Sequence, residues 1–304
     1  MQTRKRILSI LLTLALAAGL LAIAPITAHA ATGMATINIS TLGGADANNS
    51  ADIATESYWE YQDLNKTLVF TTTGGNYTLT GTNGELMVFF NSTATGANVI
   101  LNGVNITGPN SNNALAFLSD CTVTLIGNNT LASNGNACFN ASSNISCTIT
   151  SSSGGSLTAT VATGTDNCLN TGSNTAIIIT GNASVTAASA GWAIGIGSTS
   201  IVKIGDNAKL TLTGDANNYT FEKDGTATTH KWKLTNATLA SGYELTDDVI
   251  KVTVAAGQTA TIEREPIAAP TPTKGIFCTN ARWYGEWWHY VLFFLGFGFL
   301  WMWF

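Results

Sequence analysis

The chain has 304 residues, 45% of them hydrophobic but only 10% charged, against about a quarter in ordinary globular domains, so Thr, Asn, Ser and Gly must supply most of the polar surface. A net charge of −5 without clustered cations excludes a nucleic-acid partner, because that binding draws on counterion release by grouped Lys and Arg. Thirty glycines without a Gly-X-Y period exclude collagen, and the abundance of Val, Ile, Leu and Thr excludes simple disorder.

Residues 1–30 read as a secretory signal peptide. Arg4, Lys5 and Arg6 form a basic start, an apolar stretch runs from Ile7 to about Ile23, and Ala28-His29-Ala30 is a small-x-small cleavage site. The alternative is an uncleaved membrane or amphipathic helix. Cleavage after Ala30 leaves ten cations against 18 acids, a net charge of −8. Residues 31–66, with Tyr58, Trp59 and Tyr61, are expected to form an N-terminal cap and first strand, covering an edge that would otherwise template aggregation.

Residues 67–221 repeat about every 25 positions, and several columns show it. Gly103, Gly127, Gly154, Gly181 and Gly205 are 24, 27, 27 and 24 apart. A second, apolar column reads Leu79, Ile106, Leu131, Leu157, Val185 and Leu210; a third, Ile100, Val123, Ile149, Ile178 and Val202; a fourth, Leu115, Phe139, Leu169, Ile194 and Tyr219. Each repeat holds three β-type segments too short for a helix, such as Thr122 to Leu125, Thr130 to Ala132 and Ala137 to Phe139, separated by Gly and Asn turns. The turn glycines tolerate the positive φ that sharp corners need. Three strands per turn over about six coils predict an all-β fold, a single-stranded parallel β-helix, right-handed by the general preference of parallel crossovers. An antiparallel sandwich also alternates strands and turns, but it does not require residues to match at a constant interval.

Residues 222–262, where charge returns, are expected to close the solenoid as a β cap, with His230 to Lys233 and Val249 to Val254 as strands. Residues 263–282 hold Pro266, Pro270 and Pro272 and read as a stiff linker. Residues 283–304 are an aromatic hydrophobic tail. Trp287 to Phe304 carries no formal charge over 18 residues, about 27 Å as a helix, enough to cross a hydrocarbon core. Trp283, Trp287, Trp288, Trp301 and Trp303 sit at both ends of that run, where headgroups favour indoles. The tail reads as a membrane anchor, with an interfacial segment or a terminal sorting signal as the alternative, since no Lys or Arg follows it. Together with the leader it predicts an extracellular, cell-surface protein.

Four cysteines fall in two repeat columns, Cys121 with Cys147 and Cys138 with Cys168, at separations of 26 and 30. Each pair should stack on adjacent coils about 4.8 Å apart, within disulfide range. Ala176 and Ala193 in the next coil suggest the alternative, buried thiols acting as small apolar residues. No Cys-x-x-Cys exists, so a zinc site is not expected.

Titratable groups are scarce along the repeats. From Thr67 through Val202 there is no Lys, Arg or His, and the acids are Glu85, Asp120 and Asp166. Lyase chemistry needs a base and hydrolysis needs two carboxyls about 5 to 9.5 Å apart. Asp120 precedes the first strand of its coil and Asp166 the third strand of another, so they should lie on different faces, as turn residues. Glu222, Asp224, Glu244, Asp247 and Asp248 belong to the cap. No phosphate loop, nucleophile elbow or His-Glu-x-x-His pattern occurs. An enzyme is therefore not expected, with a polysaccharide lyase or hydrolase as the residual alternative.

The remaining surface is neutral and rich in hydroxyls and amides that repeat every coil, suited to an extended polysaccharide. Trp192 is the one indole within the repeats, and its column mates Asn113, Ala137 and Asn167 place it outward, where it could stack on a sugar or cover a corner. The segments Val99-Ile-Leu-Asn-Gly-Val-Asn-Ile-Thr107, Val123-Thr-Leu-Ile-Gly-Asn-Asn-Thr-Leu131 and Ala190-Gly-Trp-Ala-Ile-Gly-Ile-Gly197 resemble secreted bacterial parallel β-helix proteins of the carbohydrate-binding-domain and cell-surface adhesin type, including the clostridial kind that binds cellulose and pectic polymer. The resemblance spans about residues 66–215. It implies a non-catalytic carbohydrate-binding module, with a protein-binding adhesin or surface spacer as the alternative. It transfers no site residue, because these coils are poorer in acids than a calcium-loaded, pectin-binding member. No cofactor is expected; Ca²⁺ would need more oxygen ligands than the coil acids supply. The expected partners are a neutral polysaccharide and, through the tail, a membrane.

Overall fold

A computed structural model describes residues 34–43, 59–109, 112–205, 207–225 and 230–267. The predicted leader, most of the linker, the aromatic tail and Cys278 lie outside the described residues. The chain divides into two units, Met1–Glu265 and Pro266–Phe304, and the first carries nearly all that follows. Among the described residues no helix is long and apolar enough to cross a membrane.

The first unit is a parallel β-helix. Alternating apolar and polar side chains make each short segment a strand with one inward face, and Gly or Asn corners turn the chain onto the next face. The first face stacks Met34–Asn38, Asn76–Asn83, Ala97–Thr107, Cys121–Ile126, Ser146–Ser151, Ala176–Gly181, Ile201–Ile204 and Asn217–Lys223. The second stacks the end of Ala97–Thr107 on Asn128–Asn134, Ser156–Thr163, Ser184–Ala188 and Lys209–Thr213. The third stacks Thr67–Phe70, Met87–Phe90, Leu115–Phe117, Phe139–Ala141, Leu169–Thr171 and Ile194–Gly195. These six rungs enclose five turns, and their parallel registers exclude the sandwich.

Inside, like stands on like. Val99, Val123, Ile149, Ile179 and Ile204 form one fully buried ladder. Phe70, Phe90, Phe117 and Phe139 form an aromatic stack, with ring centroids 4.5, 4.8 and 5.4 Å apart. Burying each such side chain contributes about 1.5–3 kcal/mol, which is why a stack of coils holds where one coil could not.

The register corrects the sequence columns at several points. Ile100 and Ile178 face outward, half-buried, one residue from the buried Val99 and Ile179. Leu131 stands over Ala159, and Leu157 over Asn129. Tyr219 does not continue the Leu115 column: Asn217–Lys223 returns directly to the first face, pairing Phe221 with Val202. Cys147 meets Ile177, not Ala176. Gly103, Gly127, Gly154 and Gly181 hold φ of 64°, 63°, 82° and 63°, as corners between the first two faces require. Gly205 does not share this positive φ and serves a different purpose: a Cβ there would stand 2.6 Å from Thr180 Oγ1.

Antiparallel strands close both ends. Trp59–Gln62 pairs with Thr67–Phe70 at one end, and Val249–Val254 with Asn217–Lys223 and Thr259–Pro266 with Lys209–Thr213 at the other. Ion pairs Lys233–Glu263 at 2.7 Å and Lys203–Glu222 at 3.1 Å charge the second closure.

Candidate functional site

Trp192 stands at the corner where the second face turns into the third, between Ser184–Ala188 and Ile194–Gly195. It is 49% exposed, while Ala193 and Ile194 beside it are buried. Its backbone is held from several sides. The Cys168 N–H donates to the Trp192 carbonyl at 3.3 Å, and the Asp215 N–H donates to the Gly191 carbonyl at 2.8 Å. Ser189 Oγ accepts from the Gly191 N–H at 3.0 Å and donates to the Asp166 carbonyl at 2.5 Å. Gly191 is required by this packing, since a Cβ there would lie 2.0 Å from the Thr165 carbonyl oxygen. The indole is thus mounted on a rigid base.

Amides flank it on the third face. Asn167, which shares the Trp192 column, donates from Nδ2 to Asn170 Oδ1 at 3.4 Å, and Asn170 donates to Asn140 Oδ1 at 2.8 Å. The next residue in the outward column is Gly195, where a side chain would lie 2.0 Å from Asn167 Nδ2. An aromatic surface beside a row of donors and acceptors suits a ring that is apolar on its faces and hydroxylated at its edge. The Asn row escapes sequence reading because Asn is abundant throughout; its signal is that Asn140 and Asn170 each follow the buried residue of the fourth column. Of the nearby charges, Asp166 and Asp215 are exposed and both negative, which disfavours a polyanion at this corner.

The second flank is the second face, whose outward residues are mainly threonine. Thr130, Thr158, Thr186 and Thr211 stack in register.

The cysteines lie in the core, away from this surface. Cys121 and Cys147 are paired across adjacent rungs with sulfurs 3.0 Å apart; all four are free and buried. Burial pushes the Cys121 thiol well above its ordinary value of 9.0. A hydrogen bond shared with Cys138, together with burial, raises the Cys168 thiol. The column neighbours Ala97 and Ala193 show what these sulfurs replace, small apolar side chains.

The coil acids hold structural positions. Asp120 Oδ1 accepts from the Ser146 N–H of the next coil at 2.7 Å. Asp120 borders the first face and Asp166 the corner before the third, so they do not form a pair. Among the described residues no group of three or more His, Cys, Asp or Glu is placed to hold a metal ion. Compared with known proteins, the chain matches no family model, no curated protein and no solved structure.

Proposed function

We propose that this protein is a non-catalytic carbohydrate-binding module displayed at the bacterial cell surface. The observation that carries the reading is the half-exposed Trp192 on its rigid corner beside the Asn167, Asn170 and Asn140 amides. A preorganised aromatic platform with adjacent amides loses little freedom when a sugar stacks on it. The neutral coils and the exposed Asp166 and Asp215 favour an uncharged polymer over a uronate. The use of Asp120 as a backbone acceptor between coils supports a non-catalytic role. The leader-like residues 1–30 and the aromatic apolar residues 283–304 support a location outside the cell.

The test is a pull-down of the full chain on insoluble cellulose, xylan, pectin and peptidoglycan, with calcium or with EDTA, scoring bound protein and released sugar. Retention without release, weakened in Trp192→Ala, is the expected result. No retention on any polymer overturns the reading in favour of a protein adhesin or spacer, and sugar release overturns the non-catalytic assignment.

A further inference from the structure

Beyond the corner itself, the second face presents a flat ladder of hydroxyls. Its outward column reads Thr130, Thr158, Thr186, Thr211 and Thr261 on five consecutive rungs. A second column two residues along reads Ala132, Thr160, Ala188, Thr213 and Thr259. Thr213 and Thr259 bring their Oγ1 atoms to 2.9 Å, and Thr211 and Thr261 to 3.3 Å. Rungs spaced about 4.8 Å apart make the first column roughly 19 Å long, and the columns stand about 6.6 Å apart along the strands. A third column, Asn128, Ser156 and Ser184, is also uncharged, and Ser156 donates to Asn128 Oδ1 at 2.9 Å. The first charges appear at its end, at Lys209 and Glu263.

The other candidate surfaces lack this continuity. The outward columns of the first face are broken by Ile100, Ile178 and Lys203. On the third face the amide row runs from Asn140 to Ala116, which is only 2% exposed, so no open track continues there.

We propose that the second face docks onto the flat surface of an insoluble neutral polysaccharide, with Trp192 at its margin. The inference rests on the carbohydrate reading and names the form of the ligand. A single soluble chain needs a concave site to bury most of its surface. A planar array of weak hydrogen-bonding groups gains affinity only against a partner that is itself planar and repeating, where many contacts form at once. The absence of charge along the first column, Thr130 through Thr261, suits a polymer that is hydroxylated and uncharged.

The experiment measures depletion of the full chain from solution by microcrystalline cellulose, with soluble cello-oligosaccharides as competitors. Thr158→Val with Thr186→Val removes two hydroxyls from the ladder and keeps the β-branched shape that strands favour. Thr124→Val with Thr150→Val on the first face is the control. The expected results are retention of the unaltered chain, at least about a tenfold loss in the second-face variant, no change in the control, and no competition by the oligosaccharides. Melting temperatures of both variants verify that each is folded. Full competition by soluble oligosaccharides overturns the inference, as does unchanged retention of a folded second-face variant. If Trp192→Ala still weakens retention in that case, the carbohydrate reading stands with its site confined to the corner. If the unaltered chain is retained by no neutral polymer, the carbohydrate reading itself fails.

Discussion

Asn174 donates from Nδ2 to Asn144 Oδ1 at 3.1 Å, and both residues hold left-handed backbone, with φ of 55° and 63°. They form the corner between the third and first faces in successive coils. The next residue in that corner is Thr199, with φ of 59°. A β-branched residue pays for this conformation, which Asn adopts more readily. Thr199→Asn is therefore expected to stabilise the protein by about 1 kcal/mol and to raise Tm by about 2–4 °C. Thermal unfolding followed by circular dichroism checks it, and an unchanged or lower Tm contradicts it.

Asn129 is 1% exposed and replaces an apolar residue at the corner between the first and second faces. Its Oδ1 accepts from the Val104 N–H at 3.0 Å, and its Nδ2 donates to the carbonyls of Ile126 and Ser156 at 3.2 and 3.1 Å. The amide thus ties three coils together. Asn129→Leu would match the column neighbour Leu157, yet it leaves the buried Val104 N–H and two part-buried carbonyls without the amide. Destabilisation of about 3 kcal/mol or more is expected, read as a lower midpoint of denaturant unfolding. A neutral outcome would mean that other groups satisfy the corner.

Gly191→Ala and Trp192→Ala separate the scaffold from the platform. The first places a Cβ against the Thr165 carbonyl, at 2.0 Å before any adjustment, so backbone must move; a stability loss of about 1–3 kcal/mol is expected, together with weaker polymer retention. The second removes a half-exposed ring and should cut retention about tenfold with Tm unchanged. Equal Tm losses in both variants would show that the indole serves the fold.

Stability should decline in base. The Cys121 thiol is raised above 9.0 by burial, so the folded state keeps a proton that the unfolded state releases. The associated stability is complete below the unfolded value and is lost as pH rises through the higher folded value. Burial raises the Tyr219 hydroxyl in the same direction. Tm measured from pH 7 to 11 should fall above about pH 9, with a shallower fall in Cys121→Ala, whose column already holds Ala97. Identical slopes for the two proteins would exclude the thiol as a contributor.

The repeat, the coil length and the three strands per turn were all legible in the sequence, because alternation and turn residues are local and recur at each coil. Parallel stacking followed from that recurrence, since only stacked coils demand a residue match at a near-constant interval. Trp192 was legible as an outward residue for the same reason, through Asn113 and Asn167 in its column. The phase of the columns was not. Ile178 and Ile179 are equally apolar, so composition cannot say which points inward, whereas pairing with Ile149 and Ile204 decides it. Repeats of 24 to 30 residues place the extra residues in loops, which moved Leu157 from Leu131 to Asn129 and Cys147 from Ala176 to Ile177.

By itself, then, the sequence determined a neutral parallel solenoid and its one prominent outward indole, since periodicity and burial are properties of each coil. Only the tertiary structure decided which amides flank that indole, which face carries an unbroken threonine ladder, and where parallel stacking gives way to antiparallel closure. Those features depend on register between coils, and register is set by the packing of whole rungs against one another.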